Sequence, residues 1–275
     1  MKNFQIPGDF VNKVLQDSIA TFAVAKQVTR LINAITVAWK KFVQEPVEYK
    51  EQFRIGKDRG WWQRTGEERK DGKNKDIKEF FHFHQDLCKR LDSEGVDYSK
   101  HNKLFSDLGK LYNISIDASL QIAELLDKRL TGRHIKQHVR RCNTKKKSLH
   151  TIRLLYYPKR TDLISNKEQQ AAIADAHFDR NAWTFSYIET APGLRLGLHL
   201  DQEYEYQKDQ VLFFAGAKLE NLTCRTIDMV RHCVVAKKPR ARIAIVFFGH
   251  TVLSETLTQE YIKTREEELG FLPKK

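Results

Sequence analysis

Between residues 149 and 248 the chain breaks into short apolar runs rich in β-branched and aromatic residues, and this rhythm limits the fold more than any other feature. The runs are 149–157, 182–189, 194–198, 211–215, 230–236 and 242–248, with turn-forming Pro192-Gly193 and Gly216 between them. Many strand-length runs separated by turn signals pack as an antiparallel jelly roll. No internal repeat and no Gly-rich dinucleotide or phosphate loop competes with that reading.

Upstream the spacing is helical. Residues 10–43 carry Val14, Leu15, Ile19, Phe22, Leu31, Ile32, Ile35 and Trp39 at mostly helical intervals and stop before Pro46. Residues 48–75 read as a loop or short strand around Trp61 and Trp62, both expected in the core. Residues 76–91 read as a helix, on which His82 and His84, two apart, would diverge and make a poor ligand pair. A second long helix spans 98–130, with a break expected at 113–119, and a last one covers 261–269 and ends at Gly270. The expected class is therefore mainly β with flanking helices: an α-rich region over 1–147, a jelly-roll core over 148–253, and a C-terminal helix within 254–275.

A formal charge of +13 over 275 residues admits a nucleic acid, an anionic surface or an acidic small molecule as partner and selects none of them. Seven basic residues and no acid lie in 133–147, which reads as a flexible basic linker suited to attracting nucleic acid or an acidic protein. His134, His138 and Cys142 within it would stack on one helical face, but a fourth zinc ligand is missing. Four scattered cysteines and the absence of a signal peptide point to reduced thiols in a cytoplasm. Charged residues interrupt the apolar stretch 19–39, so it does not read as a membrane span.

Chemistry concentrates at His177-Phe178-Asp179, followed by His232 and then Arg242. Two imidazoles and a carboxylate on one face of an Fe(II) ion leave the opposite positions open for a co-substrate and O2. A second His-x-Asp, His199-Leu200-Asp201, meets the same local requirement, since alternate residues of a strand share a face. The flanks separate the two copies. Around the first lie Arg153-Leu154-Leu155-Tyr156-Tyr157-Pro158, Gly193-Leu194-Arg195-Leu196, Arg231-His232-Cys233 and Arg242-Ile243-Ala244-Ile245-Val246-Phe247-Phe248. With Arg59-Gly60-Trp61, Gly66-Glu67 and Asp76-Ile77-Lys78-Glu79 upstream, this ordered set resembles the isopenicillin N synthase-like family of Fe(II)/2-oxoglutarate-dependent oxygenases.

The resemblance implies a double-stranded β-helix and a dioxygenase. His177, Asp179 and His232 would be catalytic metal ligands for Fe(II), Arg242 would pair with the distal carboxylate of 2-oxoglutarate, and Tyr157 would add a phenol contact. O2 is the other co-substrate, and ascorbate the accompanying reductant. Hydroxylation of a small-molecule substrate, with release of succinate and CO2, is the implied reaction; desaturation or ring closure needs only another substrate placement. Arg240 shares the face of Arg242, but the register set by Phe247-Phe248 favours Arg242. Arg180 and Trp183, just past the ligand strand, are placed to approach substrate. Departures from the family pattern are Ala244 for a Ser, Leu155 for an Asn, Ala217 for an Asp and Cys233 for an Arg, and they bear on 2-oxoglutarate more than on iron. Two other readings stay open: an iron oxidase that needs no 2-oxoglutarate, and a non-catalytic basic binding protein on the same fold.

Overall fold

In the computed structural model, which describes residues 2–56, 59–64, 77–144, 148–159, 172–235 and 240–273, the chain opens with β1 (Phe4–Gln5) and α1 (Phe10–Asp17). Ser18 ends α1 in the left-handed conformation, φ 59°, its N–H bonded to the Val14 carbonyl, and the chain continues as β2 (Ile19–Val24) before α2 (Lys26–Phe42) begins. The single helix expected over 10–43 is thus two helices with a strand between them. Ala20, Phe22 and Val24 turn inward on alternate positions of β2, and no Gly or Pro marks the switch.

Then come α3 (Val47–Glu51), β3 (Arg54–Ile55), β4 (Arg59–Arg64), β5 (Lys78–Phe83) and α4 (Leu87–Ser93). The helix expected over 76–91 is therefore a strand followed by a short helix; Asp76 lies outside the described residues, as do Gly66 and Glu67. Both faces of β5 carry aromatic rings, which erases the alternation that would betray a strand. Trp61 on β4 is buried and donates to Glu79, whereas Trp62 is half-buried beneath the Arg54 guanidinium.

After a short 3-10 turn, α5 (Asn102–Arg129) runs unbroken through the expected interruption. The two serines of that stretch are interior partners: Ser115 bonds the Leu111 carbonyl and the Tyr187 hydroxyl, and Ser119 accepts from the Trp183 indole. Most of the described part of the expected flexible linker is instead α6 (Ile135–Cys142). Ile135, Val139 and Cys142 are buried, and the Asp127 carboxylate accepts the first two amides of α6 at 2.6 and 2.9 Å. Lys145, Lys146 and Lys147 lie outside the described residues.

The rest of the chain supplies β6 (Thr151–Tyr157), β7 (Ala172–Phe178), β8 (Trp183–Glu189), β9 (Leu194–Leu196), β10 (Gln202–Glu203), β11 (Gln210–Ala215), α7 (Ala217–Leu222), β12 (Arg231–Val235), β13 (Arg242–Gly249) and α8 (Glu255–Glu268). All pairings are antiparallel, in one sheet ordered β1-β2-β11-β8-β13-β6-β5-β4-β3 and another ordered β10-β9-β12-β7. From β6 onward the chain crosses between sheets, pauses at the β9–β10 hairpin, and crosses again through β13. This is the double-stranded β-helix. Residues 1–147, expected as helical, also extend the large sheet at both edges with β1–β5.

The β6, β11 and β13 strands place apolar residues on both faces, and β8 does so on its outer face, for a reason. Leu154, Phe185, Phe213, Ile245 and Phe247 join Trp39 and Phe105 of α2 and α5 in the larger core. Leu155, Leu212, Phe214, Ala244 and Val246 face the small sheet instead. Strands covered on both sides read as continuous apolar runs. The last helix starts earlier than expected, with Ser254 capping the Leu257 amide at 3.1 Å. The buried Glu220 carboxylate of α7 holds α8 by accepting from Tyr261 and Arg265, each at 2.7 Å. No helix among the described residues is long and apolar enough to cross a membrane.

Candidate metal centre

Strands β7 and β12 are neighbours in the small sheet, and their register sets His177 directly opposite His232. Asp179 follows two positions later, on the same side as His177. The two imidazole rings lie 4.3 Å apart between centroids, and each Nε2 is 3.8 Å from Asp179 Oδ1. Ligand atoms of the three residues all fall within 4.8 Å of one another.

Each Nδ1 faces a carbonyl two residues back, His177 to Asp175 at 2.7 Å and His232 to Val230 at 3.3 Å. That contact places the proton on Nδ1 and turns the Nε2 lone pair toward the centre. The second Asp179 oxygen accepts from the Thr184 hydroxyl, so one oxygen is engaged and the other points at the imidazoles. Burial pushes the Asp179 carboxyl up, but the His232 and His177 imidazoles, the Thr184 hydroxyl and Arg153 outweigh it and hold it below its ordinary range. Burial keeps His232 neutral, lowered to about 4. A carboxylate beside two imidazoles, with their ligand atoms convergent, is a donor set for a divalent transition metal. By contrast His199 and Asp201 sit exposed between β9 and β10, and no other such group of three converges among the described residues.

Two cavities meet at the triad. An inner chamber of about 80 Å3 runs between the sheets and reaches Tyr157, Ser186, Glu189 and Arg242. An outer bowl of about 1050 Å3 opens to solvent. Arg242 is 4% exposed whereas Arg240 faces solvent, and Tyr157 lies with its ring centroid 5.3 Å from the Arg242 guanidinium. The Arg242 guanidinium is already engaged: it donates to the Glu189 carboxylate, whose other oxygen accepts from Ser186 at 3.0 Å. Burial pushes the Glu189 carboxyl up, opposed by Arg242.

Glu189 escaped the sequence reading because it appeared as the polar end of a strand. Register reveals its role, since it stands opposite Ala244, where a small side chain leaves it room. Tyr204 was missed as well. Its buried hydroxyl makes no hydrogen bond of ordinary geometry among the described residues, and burial, with Glu189 nearby, pushes the phenol up to about 12. Trp183 belongs to the core rather than to a substrate site, as it is fully buried against Gly249 and donates to Ser119 at 3.2 Å. Arg180 is exposed on the bowl.

The architecture is shared with solved structures. A 2OG-Fe(II) oxygenase family protein of Caulobacter crescentus superposes with a TM-score of 0.70 at 20% identity, over 95% of this chain and 93% of that one. A full-length Neurospora crassa protein in complex with alpha-KG gives 0.71 at 15% identity, over 93% and 89%. The Arabidopsis thaliana dioxygenase for auxin oxidation 1, in a binary complex with 2-oxoglutarate, gives 0.67 at 12% identity, over 90% and 91%. The chain has the 2OG-Fe(II) oxygenase fold. No protein-family model matches it, and no curated protein matches it in sequence.

Within a 2OG-Fe(II) oxygenase fold the donor set fits a metal, with two Nε2 lone pairs and one carboxylate oxygen convergent and their outer atoms anchored. The inner chamber also suits a small dicarboxylate in its lining, because it joins the triad to a buried guanidinium. Glu189 is the one feature that competes for that guanidinium.

Proposed function

We propose that the chain is an Fe(II)- and 2-oxoglutarate-dependent oxygenase that hydroxylates, or desaturates, a small-molecule substrate. One observation carries the reading: His177, Asp179 and His232 converge at the mouth of a chamber that ends on buried Arg242. In this reading the three residues hold Fe(II) by one face and leave the opposite positions open. Arg242 and Tyr157 orient the distal carboxylate of 2-oxoglutarate, the guanidinium by paired N–H donors. Bound iron and co-substrate supply the oxidising power, with O2 reduced as 2-oxoglutarate becomes succinate and CO2. Thr184 keeps one oxygen of Asp179 occupied, leaving it a one-oxygen ligand, and the apolar walls Leu155, Phe214, Val234 and Val246 keep water out of the inner chamber. In this reading the described residues within 148–253 carry most of the site, those within 1–147 pack against it, and α8 packs on α7.

The test is succinate formation by purified protein given Fe(II), ascorbate and 2-oxoglutarate under air, with His177→Ala as control. Succinate from the wild type and none from the variant is expected. Its absence from both, together with no iron-dependent binding of 2-oxoglutarate, would sink the proposal. Glu189 on Arg242 favours a second reading, an iron oxidase needing no 2-oxoglutarate, because the carboxylate subsite is filled from within. That enzyme would consume O2 with its substrate and release no succinate.

A further inference from the structure

At the neck between the two cavities stands Arg153 of β6, which lines both together with Lys78, Ala174, His177, Asp179 and Phe248. Its guanidinium is held from several sides. Nε donates to His82 Nε2 at 2.6 Å, across the β5–β6 pairing in which the two residues are register partners. The guanidinium carbon lies 4.6 Å from the Phe248 ring centroid and 5.6 Å from that of Phe80. A planar cation stacked on aromatic rings and anchored through Nε is preorganised, so little rotamer entropy remains to be lost when it meets a planar or tetrahedral oxyanion.

The surrounding bowl has the matching sign. Among the described residues, Arg59, Arg64, Lys78, Arg153, Arg180 and Lys218 line it alongside the acids Asp175, Asp179 and Glu255, and Arg59 is paired with Asp86. Asp179 belongs to the metal centre, and Glu255 pairs with Lys218 at 2.9 Å. Lys218 is itself only 2% exposed, so this cation is part of the wall rather than a mobile surface side chain. Low-dielectric walls lined by one sign of charge concentrate the opposite ion.

We propose that the primary substrate is a small organic oxyanion, a carboxylate or a phosphate monoester, whose charged group is read by Arg153 at the neck while its carbon skeleton lies toward the triad. Arg153 is then a specificity-determining residue, and His82 a positioning residue acting through it. The proposal rests on the oxygenase reading for its chemistry but not for its binding site, which the protein carries with or without metal.

The experiment measures thermal stabilisation of the full chain by three probes of similar shape, phenylacetate, phenyl phosphate and phenylacetamide, at low and high salt, without metal and with Mn(II) plus 2-oxoglutarate. At least one of the two anions should stabilise at a concentration roughly tenfold or more below the amide, with an advantage that shrinks in salt. Which anion does so decides between carboxylate and phosphate. Arg153→Gln should erase the difference between acid and amide, Arg153→Lys should restore part of it, and the exposed control Arg240→Gln should retain it. If the wild type does not distinguish the anions from the amide, or Arg153→Gln keeps the distinction, the assignment is wrong. Loss of Mn(II)-dependent 2-oxoglutarate binding with anion selectivity intact would instead overturn the oxygenase reading alone.

Discussion

Replacing Arg242 by Met gives the sharpest test of the inner chamber. Arg242 and Glu189 are 4% and 7% exposed, so the change strands a carboxylate in the interior with Ser186 as its remaining close donor. Breaking a buried ion pair from one side costs about 3–5 kcal/mol, because the surviving charge stays desolvated. Protonation caps that loss. Burial raises the folded pKa of Glu189 above its unfolded value, and without Arg242 nothing of comparable charge opposes the rise. In the window between the two pKa values the folded state binds more protons than the unfolded one, so stability falls as pH rises, by at most about 1.4 kcal/mol per pH unit. Below the unfolded carboxylate range both states are protonated and the cost is smallest. Urea unfolding of the variant minus the wild type should therefore show a modest deficit near about pH 5 and one of about 3–5 kcal/mol near about pH 8. Arg242→Met combined with Glu189→Leu should recover most of the loss, since an apolar pair of similar volume removes the stranded charge. A single variant within about 1 kcal/mol of the wild type at both pH values, or a deficit that ignores pH, would refute the buried pair.

Two further predictions concern the metal centre. Mn(II) should raise the melting temperature of the wild type, by the equivalent of about 2.7 kcal/mol at a hundredfold excess over Kd, and the chelator EDTA should reverse it; His177→Ala should lose the shift and His199→Ala keep it, and the opposite pattern would move the centre to the second His-x-Asp. Gly216→Ala sets a Cβ 2.4 Å from the Asn181 carbonyl oxygen and 3.0 Å from that of Asp179, although φ there is an ordinary −114°. It should cost about 1–3 kcal/mol in denaturant unfolding and weaken Mn(II) binding, and unchanged metal affinity would mean that the α7 contact does not position Asp179.

The convergence of His177, Asp179 and His232 was legible because its logic is local: His177 and Asp179 share a strand face whatever the fold, and the flanking runs around His232 and Arg242 mark strands that a jelly roll must place nearby. The jelly roll itself was legible from strand-length apolar runs. What could not be read was pairing across the sheet. Glu189 faces Ala244 only because β8 and β13 meet in that register, and one residue of slip would carry the carboxylate to the other face. Where the family pattern has a Ser, the smaller Ala244 leaves space that the Glu189 carboxylate occupies. This departure from the family pattern thus makes room for the carboxylate that engages the Arg242 guanidinium.

The N-terminal errors share one cause, and it has a consequence for the site. Apolar period separates helix from strand only when one face is wet. Strand β2 follows a helix directly at Ser18, and β5 carries Phe81 and Phe83 toward the core while Phe80 and His82 look the other way, so neither advertises a period of two. Read as a helix, residues 76–91 send His82 and His84 to different sides, and the pair is dismissed. On a strand and its extension the two lie on one side, and both line the bowl, His82 against Arg153 and His84 against Thr151. A residue's partner is chosen by the element beneath it. Mistaking β5 for a helix therefore hid more than a strand: it hid the imidazole that fixes Arg153, and with it the sequence-level signal that the neck of this pocket is built to read an anion.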